Sequence, residues 1–362
     1  MRVAMVLGRS TGGIGVHVRD LVAELTALGD EVIVLTDDLT QERFRYPAGR
    51  TGWPDRRRPL RALTQARSWR STLRAADIVH AHGFQAGIVA ATLLAGRRRP
   101  PLVVSLHNQI PTHGQLARVG HRAAQWLASR TALMTGASSD LVDLATTLGA
   151  RATALAPVPS PRVAGLLALD REPWRAQHRA DLLISTGLDP DLPLVVSICR
   201  IAPQKRLPDL LTATAHGPAK AQWVVIGDGD HGLRNELQAR IDDEQLPVSL
   251  LGAVDDPTAW LLAADVFVLT STWEARALVI QEAMAAGTAV VATRTGGLPD
   301  LLDGVGALVP VGEPARFGRA AADSLNNSQA VALAERARAR AARWATPRET
   351  AEAWQRWYAD LA

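Results

Sequence analysis

Two glutamates, Glu274 and Glu282, stand eight positions apart in the segment STWEARALVIQEAMAAGTAVVATRTGG, residues 271–297. An apolar run with strand character, Val266–Thr270, precedes the segment, and a helix pattern begins between the two acids. Eight residues span a little over two helical turns, so Glu274 falls in the loop before the helix and Glu282 two turns down it. A loop that enters a helix is a ready anion site, because first-turn N–H groups lack helical partners and the dipole's positive end lies there. Ala277, Leu278 and Val279 supply those amides. Carboxylates accept hydrogen bonds from sugar hydroxyls, and backbone amides hold a diphosphate. A nucleotide sugar meets both demands. The competing reading is an ordinary buried α/β helix with an incidental acidic pair.

The elements that must position these residues form two α/β series. Arg2–Leu7 reads as a strand, Gly8–Gly15 as a glycine-rich turn, and Val18, Leu21, Val22, Leu25 and Leu28 as one helix face ending at Gly29-Asp30. Glu31–Thr36 is the next strand, which completes a βαβ unit. Further strands are expected at Asp77–Ala81, Leu102–Leu106 and Leu133–Gly136. Pro157, Pro159, Pro161, Pro173, Pro190 and Pro193 then interrupt any long element, and the stretch reads as an interdomain connection with a short helix near Trp174–Ile184. The second series has strands at Leu194–Ile198, Gln222–Ile226, Val248–Leu251, Val266–Thr270, Ala289–Ala292 and Leu308–Val309, with helical patterns between them. Pro347 restarts the chain, and Ala351–Leu361 is a last amphipathic helix carrying Trp354, Trp357 and Tyr358.

Other residues gather at the same kind of position. Arg200 and Lys205, in CRIAPQKR, follow the strand Leu194–Ile198, at the carboxyl edge where α/β sheets bind ligands. Fixed cations there stabilise charge that builds on a departing diphosphate. The chain has only two lysines, Lys205 and Lys220, against an arginine-rich background, so Lys205 stands out. The bland reading is a surface arginine and lysine. His107 follows the strand Leu102–Leu106 in SLHNQ, where it either serves a ligand or caps a loop with Asn108. His80 and His82 share one strand face; His82 is expected toward the ligand and His80 in the interior, while His17, His113 and His121 receive no role. Gly12-Gly13-Ile14-Gly15 fails the dinucleotide fingerprint, since Val18 stands where the third glycine belongs. A short-chain dehydrogenase is excluded as well: the residue four after Tyr46 is Arg50, and four after Tyr358 is Ala362, where lysine is required. Gly227-Asp228-Gly229, Gly296-Gly297 and Asp300 read as turns more than as chemistry. The sequence offers no convincing Asp-x-Asp or His/Cys cluster with metal-ligand spacing.

The acidic segment resembles the donor-site signature of family 4 retaining glycosyltransferases, whose fold is GT-B, two Rossmann-like domains facing across a cleft. Glu274, Glu282, Ala283, Met284, Ala285 and Gly287 match the pattern, while Ala275-Arg276-Ala277 replaces the usual small-aromatic-small triplet and leaves the role of Arg276 open. The Arg200–Lys205 segment is similar to the family's Gly-Arg-Leu-x-x-x-Lys-Gly, with Cys199 in place of glycine. Gly12 and Gly13 resemble the family's Gly-Gly turn, His107 its active-site histidine, and Gly227 the first glycine of its Gly-x-Gly turn near the nucleotide. The resemblance implies the following expectations. Residues 1–165 form the acceptor-side domain, 166–190 a linker, 191–345 the nucleotide-sugar donor domain, and 346–362 a helix crossing back to the first domain. A hexose moves with retention from a UDP- or GDP-linked donor to a hydroxyl of a glycan, lipid or small molecule. His107, Arg200, Lys205 and Glu274 act in catalysis; Arg200 and Lys205 hold the diphosphate, Glu282 the ribose and Glu274 the sugar. Gly13, Gly227, Ala277, Leu278 and Val279 complete the donor site, and Gly12, Gly13, His82 and His107 the acceptor side. No cofactor or metal is expected besides the donor as co-substrate. A GT-B phosphorylase, a sugar-nucleotide epimerase and a non-catalytic nucleotide-sugar binding protein stay open as alternatives.

Composition narrows the setting. The chain has 362 residues, enough for two domains, and a hydrophobic content of 47% argues against disorder. A formal charge of +4 is too slight to imply nucleic acid. The single Cys199 forms no internal disulfide, which suits a reducing compartment, and neither a signal peptide nor a transmembrane-length apolar run is visible. A cytoplasmic protein is the expectation. Arg50–Arg74 holds eight arginines and one acid, Asp55, together with Trp53 and Trp69, and Arg97-Arg98-Arg99 adds to it. The run reads as a solvated helix, or as a peripheral contact with anionic lipid at the inner membrane face.

Overall fold

The computed structural model describes residues 1–10, 12–53, 59–96, 99–110, 115–325 and 328–362. They divide into two compact units, one made of Met1–Pro159 with Ala345–Ala362 and the other of Ser160–Trp344. His113 and residues 54–58 and 97–98 of the basic stretches lie outside the described residues.

The first unit is built on a seven-stranded parallel sheet in the order β3-β2-β1-β4-β5-β6-β7. Its strands are β1 Arg2–Leu7, β2 Glu31–Thr36, β3 Gly49–Thr51, β4 Ile78–His82, β5 Leu102–Leu106, β6 Leu133–Gly136 and β7 Thr153–Leu155. The inner strands are near-continuous apolar runs because helices cover both faces. The crossover rule assigns those faces. Stepping from β1 to β2 puts helix Gly13–Ala27 on one side, and stepping the other way through β4, β5 and β6 puts helices Phe84–Leu93 and Gln115–Arg130 on the other. Val18, Leu21, Val22 and Leu25 of helix Gly13–Ala27 pack with Ala351, Trp354 and Tyr358 of the last helix, Pro347–Leu361. That helix starts with a capping box between Thr346 and Glu349.

The second unit has a six-stranded parallel sheet in the order β10-β9-β8-β11-β12-β13. The strands are β8 Leu194–Ile198, β9 Gln222–Ile226, β10 Val248–Gly252, β11 Val266–Leu269, β12 Ala289–Thr293 and β13 Ala307–Val309. Strand order reverses between β8 and β11, which makes their carboxyl ends the switch point where open α/β sheets bind ligands.

Residues 166–190, read from the sequence as a connection, lie inside this second unit. Helices Val163–Ala168 and Arg171–Ser185 fill most of the stretch. Pro173 falls in the first turn of its helix, where its missing N–H breaks no helical bond, so the proline did not end the element. Leu166 and Leu183 enter the core, and Arg175 and Arg179 bind Asp265 at 2.5 and 3.1 Å. Among the described residues no helix is long and apolar enough to cross a membrane.

Candidate functional site

The turn after β8 and the loop after β11 are stitched together. The turn Cys199–Ile201 lies against Gly227-Asp228-Gly229 through Cys199 N–H to the Ile226 carbonyl at 2.9 Å and Ile201 N–H to the Asp228 carbonyl at 3.1 Å. Gly227 has φ 142°, and a Cβ there would sit 1.9 Å from the Cys199 carbonyl oxygen, so no other residue allows this approach. The chain then makes a short 3-10 turn, Pro203–Lys205, with Arg206 in the left-handed region. Thr270 Oγ1 donates to the Lys205 carbonyl at 2.8 Å, Thr272 N–H to the Gln204 carbonyl at 2.8 Å, and Gln204 Nε2 to the Trp273 carbonyl at 2.6 Å. Gly297 N–H closes on the Glu274 carbonyl at 2.8 Å, and a Cβ on Gly296 would meet that same oxygen at 2.1 Å.

This scaffold brings Lys205 and Glu274 into an ion pair. Their side chains are 17% and 12% exposed, and Ser271 Oγ donates to the same Glu274 oxygen at 2.6 Å. Arg200 lies exposed on the same turn. Helix Leu278–Ala286 begins beside the pair with Ala277 as its cap residue and no side-chain cap bond. The amides of its first turn therefore point out of the helix without intrahelical partners. Burial pushes the Cys199 thiol up to about 11, which disfavours its reactive thiolate form.

Glu282 lies on the same helix but belongs to a separate cluster. It is 3% exposed, accepts from Ser160 Oγ at 2.6 Å, and lies 3.6 Å from Arg162 Nη1. Burial pushes its carboxyl above the ordinary range, while Ser160 and Arg162 pull it back. Arg276 is placed by Trp344, whose ring centroid is 5.3 Å from the guanidinium carbon. Its Nε is buried without a hydrogen bond, and burial lowers the group to about 10 against the opposing pull of Asp300.

In the first unit the sheet register assembles four histidines. β4 and β5 pair with His82 opposite Ser105, and His107 stands two residues past Ser105, just beyond the end of β5. His82 Nδ1 and His107 Nε2 are 3.2 Å apart with rings stacked at 13°, and His17 meets both edge-on at 5.7 Å. His80 is fully used inside the fold, with Nδ1 at 2.6 Å from the Tyr358 hydroxyl and Nε2 at 2.7 Å from Ser105 Oγ. His82 Nε2 is buried with no partner. Burial holds His17 down to about 4, and burial with His17 nearby holds His107 to about 3, so these imidazoles are neutral at pH 7. Gly12 caps helix Gly13–Ala27 in open space. The position that demands glycine is Gly15, whose Cβ would fall 2.2 Å from the Phe44 ring. Among the described residues no group of three or more His, Cys, Asp or Glu is arranged to hold a metal.

Sequence reasoning missed Ser160, Arg162, Ser271 and His17 as partners in these clusters. His17 carried one usable signal, its place two residues after the glycine run Gly12–Gly15. Ser160 is 122 residues from Glu282, a pairing no local pattern reveals.

Two parallel Rossmann-like units in one chain, with cations and carboxylates at a switch point, define a protein of the GT-B class. The solved structure of Anabaena Alr3699/HepE in complex with UDP matches with a TM-score of 0.85 over 100% of both chains at 22% identity. Sucrose-phosphate synthase from Thermosynechococcus elongatus matches with a TM-score of 0.80 over 99% of this chain and 98% of its own, at 19% identity. Residues 192–327 match the family described as Glycosyl transferases group 1, and residues 12–161 the Glycosyl transferase 4-like domain. Alpha-maltose-1-phosphate synthase of Mycobacterium tuberculosis is 28% identical over 333 residues, 85% of this chain and 84% of that protein. Sulfoquinovosyl transferase SQD2 of Arabidopsis thaliana is 28% identical over 314 residues, 78% of this chain and 57% of that protein. The chain belongs to the group 1 glycosyl transferases and is a glycosyltransferase of the GT-B type.

Proposed function

We propose that the enzyme moves a hexose from a nucleoside diphosphate sugar, UDP- or GDP-linked, to a hydroxyl of a glycan, lipid or small molecule, with retention at the anomeric carbon. The observation that carries this reading is the Lys205–Glu274 pair beside the uncapped start of helix Leu278–Ala286. The diphosphate lies against the amides of Ala277, Leu278 and Val279, with Lys205 and Arg200 as its counter-charges. As the bond from the anomeric carbon to the diphosphate oxygen breaks, charge builds on that oxygen, and the fixed cations lower the barrier. The acceptor oxygen bonds the same carbon on the same face, and its proton passes to the departing diphosphate. Atoms and charge balance without an enzymic nucleophile. Glu274 takes the sugar hydroxyls, Glu282 the ribose, and neutral His107 offers a hydrogen bond on the acceptor side. No metal or further cofactor enters the scheme.

Thermal shift with UDP, GDP, ADP and their sugars tests it, since a ligand that binds only the folded state raises its melting temperature. One nucleotide series should stabilise the chain, and the anomeric configuration of the product, read by NMR, should match the donor. Failure of every nucleotide sugar to bind, or an inverted product, overturns the proposal. Product formation that requires phosphate would mark a phosphorylase, and binding without transfer or hydrolysis a nucleotide-sugar binding protein.

A further inference from the structure

From Arg57 to Ser139 the sequence carries one acidic residue, Asp77. That carboxylate is already engaged just before β4, where it accepts the Arg2 backbone N–H at 2.7 Å. The same stretch supplies helices Pro59–Arg74, Phe84–Leu93 and Gln115–Arg130. Helix Phe84–Leu93 packs against both of the others, so the three form one layer on the sheet face opposite helix Gly13–Ala27. The opposite layer, helices Gly13–Ala27 and Pro347–Leu361, holds five acids, Asp20, Glu24, Glu349, Glu352 and Asp360, against three bases, Arg19, Arg348 and Arg356. The three basic helices thus oppose a net acidic layer, and acid returns to their side of the sheet only with Asp140 and Asp143 of helix Ser139–Thr147, between β6 and β7.

The basic layer also exposes apolar surface. On helix Gln115–Arg130, Ala124, Leu127 and Ala128 are buried, while Val119 is 65% and Trp126 36% exposed. These two are seven residues apart, two turns, and so lie along one line of the helix. Arg122 lies between them, Arg118 precedes them, and the Arg130 guanidinium sits 5.3 Å from the Trp126 ring centroid. The helix has no acid. The middle helix, FQAGIVAATL, is uncharged, and Ile88, Val89 and Leu93 are only half-buried on it. Arg70 and Arg74 of the third helix hold the carbonyl of Ala95 at 3.0 and 3.1 Å, which keeps their charge at the end of that apolar strip.

We infer that this three-helix face docks on an anionic lipid bilayer, with Trp126 and Val119 entering the headgroup boundary and the arginines facing lipid phosphates. An exposed Trp and an aliphatic residue on a cationic, acid-free helix is the pattern of an interfacial element. A nucleic acid would engage the arginines but has no use for Val119 or the apolar middle helix. The inference is independent of the donor and acceptor proposed above.

The full chain should sediment with vesicles of equal parts phosphatidylcholine and phosphatidylglycerol, and not with phosphatidylcholine alone. Added salt should release it, because exposed charges are screened. Each arginine near the surface contributes about a fivefold gain in partition. Arg118→Glu with Arg122→Glu should therefore lose about 25-fold or more, and Arg118→Gln with Arg122→Gln somewhat less. Trp126→Ala should weaken binding several-fold at unchanged charge, and Arg356→Glu on the opposite layer should leave it unchanged. All of these positions are on the surface, and equal melting temperatures confirm that the variants fold. Equal binding to neutral vesicles, full binding by the Arg118/Arg122 variants, or equal loss in Arg356→Glu each overturns the inference. Binding of RNA without binding of the mixed vesicles overturns it in favour of a nucleic-acid surface.

Discussion

Lys205→Ala removes one ammonium that the structure uses in folding and the proposed mechanism uses in catalysis, and the two uses can be measured apart. The Lys205 and Glu274 side chains are 17% and 12% exposed, and Ser271 is the other hydrogen-bond donor to the carboxylate. Deleting the amine leaves Glu274 charged, mostly buried and short of a partner. Breaking a buried pair in this way costs about 3–5 kcal/mol, and the residual exposure with the Ser271 bond argues for about 3 kcal/mol. In a domain of this size each kcal/mol moves Tm by about 2–4 °C, so the second unit should melt about 6–12 °C earlier. The double variant Lys205→Met, Glu274→Gln removes both charges at similar volume and should return to within about 1 kcal/mol of the parent. Turnover should behave differently. Both the single and the double variant lack the leaving-group cation, so both should lose about 10²–10³-fold in kcat. Calorimetric melts and donor-consumption rates on the same preparations read the two effects. If the alanine variant melts with the parent, the pair contributes nothing to the fold. If the double variant regains turnover, Lys205 does not act on the leaving group.

Four further outcomes are expected. Glu282→Gln should raise the melting temperature at neutral pH: the carboxyl's folded pKa is raised by burial, so its ionisation weakens the fold as pH climbs from the ordinary carboxylate value through the raised one, and the amide removes that loss; a melting curve with unchanged pH dependence refutes it. His17 and His107 titrate near 4 and 3 in the fold against an ordinary 6.5, so their neutral forms stabilise it fully above 6.5 and that stability drains as pH falls toward 4 and then 3. The slope is about 1.4 kcal/mol per pH unit for each group, and His17→Gln should flatten it in acid melts. Tyr358→Phe should cost about 1–3 kcal/mol in urea unfolding, because buried His80 Nδ1 loses its partner. Transfer should continue in excess EDTA; loss of activity that magnesium or manganese restores would contradict the metal-free scheme.

Much of the architecture was legible because the inner strands are buried on both faces and so appear as mostly apolar runs, as in Leu102–Leu106 and Gln222–Ile226, each with one polar residue. The edge strands Gly49–Thr51 and Thr153–Leu155 were not, since three residues at a sheet edge carry no pattern. Helix Phe84–Leu93 has apolar residues all round and no periodic stripe to announce it. The proline-rich stretch misled in the other direction: Pro173 looks like a breaker in sequence and is a first-turn residue in space. At the site, the positions of Lys205 and Glu274 at strand ends could be read from spacing, but their pairing spans 69 residues and depends on β8 lying next to β11. His17 hides in a helix whose neighbours Val18 and Leu21 set its apolar face, and only the pairing of β4 with β5 brings His82 and His107 to it.

The helix Pro347–Leu361 also fixes an order of events during synthesis. Chains fold from the N-terminus as they emerge, and domains close as units. Here the first sheet is translated early, yet the Trp354 and Tyr358 side chains that roof Val18, Leu21 and Leu25 arrive only after the entire second unit has been made. The Gln355–Asp30 hydrogen bond at 2.7 Å joins residues 325 positions apart. Closing so long a loop adds little entropy beyond a shorter one, but contacts of such separation form slowly. The half of the molecule that is made first is therefore finished last. Until then its apolar helix face stands open to chaperones and to other nascent chains, while the inserted second unit has all of its own sequence and can already be closed.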